Sequence, residues 1–322
     1  MSDYTGLYGS SSPHDHAAHT TSSIMRDVAF ALMPILIFAT LYFGWKALLL
    51  TVISVASSVF WEWLFEKLLK KPITITDFSA VVTGMLLAFN LPVSAPWWLP
   101  VIGTAFAILL VKQLFGGIGK NFMNPALAAR CFLLVSFPTI MMTFPVDGMT
   151  AATPLAYLKT GALDQAPGYV SCFLGVINGS FGETSKILIL LGGMYLIVRK
   201  VIAWRFPIGF LGTVFILSYL FGGDGLYQIL TGGVMLGAFF MATDYSTSPM
   251  NQAGRLIYGI GCGLMTVIIR FFGSYPEGAS FSILFMNVVT PLIDRYTVRR
   301  VYGTGKQHLF KSAKNAKEGE KP

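Results

Sequence analysis

The chain has 322 residues, 54% of them hydrophobic and only 12% charged, with a formal net charge of +8. An average soluble domain is about a quarter charged, and a mean hydropathy of +0.64 places most of this chain against lipid, so a soluble enzyme is excluded. The three cysteines, Cys131, Cys172 and Cys262, are well separated and form no CxxC or Cys/His cluster. A disulfide framework, a zinc site and an iron-sulfur centre are therefore unsupported, and any redox chemistry must use an organic cofactor.

Residues 1–23 are polar, rich in Ser, Thr and His, and lack the basic start and apolar centre of a signal peptide, which predicts an irregular tail. Its His14, His16 and His19 have no metal-ligand spacing. Ten apolar runs follow, near 28–44, 47–65, 77–91, 97–114, 126–144, 185–198, 206–221, 226–242, 255–272 and 279–296. Several are short and broken by Gly or Pro, as at Gly84 and Pro291. Such breaks are tolerated at membrane depth only where protein or a cavity surrounds the freed backbone groups.

Lys and Arg fix the expected orientation. With a cytoplasmic N-terminus, 19 of the 23 basic residues fall in inner loops, at inner span ends or in the tail after the tenth span. Lys46, Lys159, Lys186 and Arg270 are the exceptions. Both termini are thus expected in the cytoplasm, and the basic excess is assigned to topology and contact with anionic lipid; no nucleic-acid module is visible. The one substantial polar segment between spans, residues 145–184, then lies outside the membrane and is expected to be a folded cap with an exposed Thr153.

Thr83-Gly84-Met85-Leu86-Leu87-Ala88-Phe89 returns 150 residues later as Gly233-Val234-Met235-Leu236-Gly237-Ala238-Phe239. Met123-Asn124 and Met286-Asn287 also follow a span that ends in a basic residue, Lys112 or Arg270. Two halves of five spans explain both pairs, and an odd number of spans inverts the second half relative to the first. The expected organisation is a tail (1–23), a first five-helix half (24–144), the outer loop (145–184), a second half (185–298) and a basic tail (299–322). Ten unrelated helices packed through small residues are the alternative.

Three stretches can carry chemistry. Asp147-Gly148-Met149-Thr150-Ala151-Ala152-Thr153-Pro154, in the outer loop, reads locally as a turn followed by a proline-started helix capped by Thr153. Gly116-Gly117-Ile118-Gly119-Lys120 lacks the Walker spacing, which excludes nucleotide hydrolysis. Asn124-Pro125-Ala126 reads as an Asn cap with proline at the first helical position, and also resembles the Asn-Pro-Ala box of aquaporins, although Asn287-Val288-Val289 supplies no second box. Asp77, Asp244 and Asp294 sit at span ends, where pairing with Arg255 or Arg295 is the ordinary reading and an ion pathway the functional one.

The outer-loop stretch closely matches the pattern Asp-x-x-Ser/Thr-Gly/Ala-Ala-Thr, at which a flavin transferase esterifies FMN to the last threonine. It resembles the site shared by the D subunit of the Rnf electron-transport complex and the B subunit of the sodium-pumping NADH:quinone reductase. Ser12-Pro13-His14, Ile24-Met25-Arg26-Asp27-Val28, Gly116 to Leu127 and Phe240 to Pro249 extend the likeness over residues 10–300, and the short N-terminal segment favours the Rnf D type. The resemblance implies an all-α polytopic membrane protein, urea-transporter-like, with ten helices in two inverted repeats. It implies covalent FMN at Thr153, with Thr150 as the fallback attachment residue and Asp147 positioning the transferase or its metal. It also implies a second, noncovalent flavin, riboflavin, near Asn121 and Asn124 on the cytoplasmic side.

The implied function is electron relay inside a complex that exchanges electrons between ferredoxin and NAD while moving sodium ions or protons across a bacterial or archaeal cell membrane. Implied partners are the flavin transferase, membrane lipid and Rnf subunits of A, B, C, E and G types, the G type bearing its own FMN on the outer face. This chain alone has no NAD fold and no cluster ligands. A urea-transporter-like channel without a redox role remains the alternative of a different class, since fold alone does not decide function.

Overall fold

In the computed structural model, residues 20–146, 149–150, 153–160, 166–273 and 277–297 are described. Asp147 and the two tails fall outside them, as does most of the stretch between α7 and α8. The described residues are almost wholly helical. Helices α1 (Thr21–Phe43) and α2 (Trp45–Leu68) are followed by α3 (Ser79–Phe89), by α4 (Trp98–Ala105), which runs on as a π-helical segment Phe106–Gln113, and by α5 (Pro125–Ser136) and α6 (Pro138–Met142). Across the outer loop come a two-residue antiparallel strand pair (Pro145–Val146 with Met149–Thr150), α7 (Pro154–Thr160) and α8 (Tyr169–Leu174). Then follow α9 (Lys186–Val198), α10 (Arg205–Leu220), α11 (Gly225–Leu230), α12 (Val234–Leu236) with a second π segment Gly237–Met241, α13 (Gln252–Phe272) and α14 (Ala279–Thr297).

Each apolar run of the sequence is helical, but among the described helices only α1, α2 and α13 are long and apolar enough to cross a membrane unaided. Several of the others lie deep inside the protein. Every residue of α3 except Val81 is buried, and so are all those of the π segment Gly237–Met241. Their glycines allow this close approach. A Cβ on Gly84 would sit 2.8 Å from the Val55 backbone, and one on Gly193 would meet the Phe239 ring at 2.4 Å. Outward faces are the reverse, with Phe30, Leu41, Val198, Tyr219 and Leu220 all more than 65% exposed, as expected of surfaces covered by lipid.

The outer loop differs from the expected extramembrane cap. Its last part turns inward: Gly182 N donates to Phe89 O, Ser180 Oγ to Asn90 O, and Phe181 packs edge-on against Phe89. A Cβ on Gly182 would lie 2.1 Å from Phe89 Cβ, so only glycine admits the chain here. The segment Ser180–Lys186 is buried throughout, Gly182, Glu183 and Lys186 included, and forms the floor of the outer side rather than a solvated cover.

Candidate functional site

Two cavities lie back to back. The first, of about 760 Å3 including its open mouth, is bounded by Met25 and Val28 of α1, Ser79–Leu86 of α3, the start of α5, Leu196 of α9, and Phe239 to Ser246. It is bordered by Val82, Thr83 and Leu86 near the first of the two similar sequence stretches and by Phe239 of the second. The second, of about 840 Å3 including its open mouth, is bounded by Asn90, Arg130, Leu134, Met141, Phe144 and Thr153, among others.

Helices α3 and α5 each run from one cavity to the other. Leu86 lines the first and Asn90 the second; Ala126 lines the first and Arg130 the second. Four residues of helix advance about 6 Å, so a single turn separates the two spaces. The wall between them is Phe89 and Met241, both buried. Asn90 Nδ2 donates to Leu86 O at 2.6 Å and touches Met241 Sδ at 3.9 Å, while Asn124 Nδ2 donates to Met241 O at 3.1 Å. One methionine thus joins a polar side chain of each cavity.

Asn124 caps α5 as its sequence suggests: Oδ1 accepts from Ala126 N at 3.0 Å and Leu127 N at 3.3 Å, with Pro125 at the first helical position. Its repeat counterpart, Asn287, faces it. With the Asn287 amide oriented to donate to Tyr258 and the Ile283 carbonyl, its oxygen accepts from Asn124 N at 3.0 Å. Asn121 also lines the inner cavity and donates to Met123 O; it faces Asp244, which is held in a turn by Ser246 and Thr247. Burial raises the Asp244 pKa, against the lowering effect of these partners. Both asparagines are brought to one cavity, but Asn124 is already committed to its cap and to Met241.

Thr153 is half-buried rather than exposed, because it lies at the junction of the outer cavity and a smaller one floored by Ser180, Glu183 and Gly232. It is the cap of α7, its Oγ1 accepting from Ala156 N at 3.3 Å. Thr150 lies on the short strand before it. Asp77 Oδ1 accepts from Ser79 N and Oγ at the start of α3, and Asp294 accepts from Met250 N at 3.1 Å. Arg255 turns to the Pro249 carbonyl instead of pairing with an aspartate.

Sequence reasoning missed two buried charge clusters. On the inner side Lys112 lies 2.5 Å from Glu62, with Gln113, Ser79 and Glu66 around them. On the outer side Arg130 binds Glu183 at 2.8 Å and also holds Glu277. Lys112 and Arg130 count as inner-face markers by their place in the sequence, but they are 3% and 5% exposed and face carboxylates, not cytoplasm or lipid headgroups. Glu62 was the legible signal, a carboxylate inside an apolar run, where such a group is costly unless paired.

A family model described as the NQR2, RnfD, RnfE family matches residues 8–303. The chain is 54% identical over 303 residues, covering 92% of its own length and 95% of the relative's, to the D subunit of the Na+-translocating ferredoxin:NAD+ oxidoreductase complex of Acetobacterium woodii. It is 43% identical to the D subunit of the proton-translocating ferredoxin:NAD+ oxidoreductase complex of Clostridium ljungdahlii, with 92% and 96% covered. It is 40% identical to the D subunit of the ion-translocating oxidoreductase complex of Stutzerimonas stutzeri, with 87% and 91% covered. Apolar helices, lipid-facing surfaces and these matches together make it a membrane protein, and the chain belongs to the NQR2, RnfD, RnfE family.

Proposed function

We propose that this chain is the D-type membrane subunit of an ion-translocating ferredoxin:NAD oxidoreductase complex, carrying FMN esterified to Thr153 and riboflavin in the inner cavity. Electrons pass one at a time between these groups and carriers on partner subunits, coupled to sodium or proton movement. The observation that carries the reading is the position of Thr153, whose side chain borders a cavity that a single helical turn separates from a second one. When bound, the flavins supply reversible one-electron chemistry that no side chain of this chain provides. The chain's own residues hold and separate them: Thr153 gives the ester oxygen, Asn90 and Arg130 line the outer space, Asn121 offers a polar contact in the inner one, and the Phe89/Met241 wall excludes water between them.

Ten spans in two inverted, urea-transporter-like halves fit this arrangement, and the meeting of Asn124 with Asn287 across the centre supports the repeat. With the four buried cations Lys112, Arg130, Lys186 and Arg270 set aside, seventeen of the nineteen remaining basic residues fall on one side. This supports cytoplasmic termini and an outward-facing Thr153 in a bacterial or archaeal cell membrane. The partners follow from the reading: a flavin transferase acting on the outer loop, and the other subunits of the complex, with a flavin-bearing G type on the outer face.

The test is in-gel flavin fluorescence of the denatured full chain, produced with its transferase. The wild type and Thr150→Val should give a fluorescent band and Thr153→Val none; a band that survives in Thr153→Val overturns the attachment site. A colourless wild-type protein would instead favour a channel.

A further inference from the structure

Beside the outer cavity lie five charged side chains that act on one another: Arg130, Lys186, Arg270, Glu183 and Glu277. Four are less than 9% exposed, and the fifth, the Glu277 side chain, is 20% exposed. Arg130 faces both carboxylates, with Nη1 2.8 Å from Glu183 Oε1 and donating to Ser280 Oγ at 2.8 Å, and Nη2 on Glu277. The other two cations find no carboxylate of their own among the described residues. Lys186 Nζ donates to the carbonyls of Glu183 and Gly232, and Arg270 to Gln228 and to the Thr231 carbonyl.

Among the described residues, three cations against two carboxylates leave one positive charge uncompensated. Holding it away from water is costly unless an anion balances it. Burial lifts the Glu183 carboxyl to about 7 against the pull of Arg130, and protonation there would only enlarge the excess. The cluster opens at one end, where Arg130, Glu277 and Thr153 share the wall of the outer cavity. By contrast, the side chains of Lys186 and Arg270 are screened behind Glu183 and Gly232.

We propose that Arg130, held in place by Glu183 and Glu277, sets the redox potential of the group tethered at Thr153, its cluster's positive excess stabilising the negative charge that the flavin gains with an electron. This rests on the attachment of FMN at Thr153. In the step itself one electron enters the ring, from a partner subunit in the complex or from an electrode in the test. No bond breaks, and the cluster need donate no proton.

The experiment is a mediated redox titration of the flavin-loaded full chain in detergent, followed by flavin absorbance. The component absent from Thr153→Val is taken as the tethered group, and in-gel fluorescence reports attachment separately. If wild type shows no covalent flavin, the attachment reading fails, whatever Arg130 does. Given attachment, Arg130→Gln should lower the reduced-to-oxidised ratio at fixed potential by at least about tenfold, the scale of one charge several ångströms away in a partly polar medium. For one electron that is a fall of about 59 mV.

Glu277→Gln enlarges the positive excess and should move the ratio the opposite way, whereas Arg130→Lys should restore most of the wild-type value. A merely structural role would give no such reversal of sign. If Arg130→Gln does not fold, Glu277→Gln and Arg130→Lys still decide. A tethered flavin whose ratio stays put, or falls, in Glu277→Gln overturns the proposal.

Discussion

The inner and outer cavities are built on the same two helices but carry opposite charge. Around the inner one, among the described residues, a single ammonium, Lys112, acts on Glu62 together with Glu66 and Asp77, and the carboxylate of Asp244 lines the same cavity. Around the outer one three cations face two carboxylates. An electrostatic difference of this kind selects ligands by charge. The acidic inner side disfavours a phosphorylated flavin and suits a neutral one such as riboflavin; the basic outer side suits FMN, which brings a phosphate. The attachment differs in the same sense. Thr153 stands half-buried at the end of a loop, whereas the inner cavity is walled by helices and capped turns.

The largest expected effect separates the two cavities completely. Thr153→Val should remove all covalent flavin while leaving a noncovalent flavin extractable from the inner cavity with acid or solvent. Asn121→Leu should do the reverse, keeping the fluorescent band and losing the extractable flavin. Joint loss of both flavins in either variant would mean that the two spaces do not act as separate sites.

The next effect concerns the charge of the inner side. Lys112→Met leaves Glu62 buried beside Glu66 and Asp77 with no cation, and breaking a buried pair in this way costs about 3–5 kcal/mol. The variant should aggregate about 5–15 °C earlier on heating in detergent or fail to accumulate. Combining it with Glu62→Gln should recover most of the loss, because the stranded charge disappears along with its partner. A double variant no better than the single one would show that Lys112 acts through something other than this pair.

How much of this was legible depended on whether the information was local. The apolar runs become helices because hydropathy and helix length are local. The caps at Asn124 and Thr153 follow from side chains two or three residues from the groups they satisfy. The outer cluster was not legible. Arg130 meets Glu277 and Ser280 from about 150 residues away, and in the sequence Glu183 and Glu277 look like ordinary loop charges. The positive-inside count erred for the same reason, since a lysine at a span end and a lysine inside an ion pair read alike. Glu62 alone announced itself, and Lys112 is the partner that its burial required.

Smaller effects test the wall between the cavities. Gly182→Ala would place a Cβ within 2.7 Å of the Phe89 Cα, a backbone atom that cannot swing aside. Overpacking of this kind costs about 1–3 kcal/mol, and it should push Ser180–Glu183 outward. Thermal stability should fall, and Glu183 would leave Arg130, so the outer flavin's potential should change while riboflavin content stays the same.

The gentlest test is Asn124→Ala. It removes the cap of α5, worth about 0.5–2 kcal/mol, together with the bond to the Met241 carbonyl, but leaves Pro125 and the apolar packing of α5 in place. The fold should survive with a modest drop in thermal stability and with Thr153 still flavinylated. Asn124 is 4% exposed and its polar atoms are spent on Ala126, Leu127 and Met241, so riboflavin should be loosened through displacement of α5 and Met241, not through loss of a direct contact. Asn124→Ser separates these two possibilities. A serine hydroxyl still caps α5 but is too short to reach Met241 O, so it should retain most of the α5 stability and still slow electron transfer between the cavities if the Met241 contact matters. Unchanged transfer in Asn124→Ser, with stability preserved, would assign the wall's function to packing by Phe89 and the methionine side chain alone.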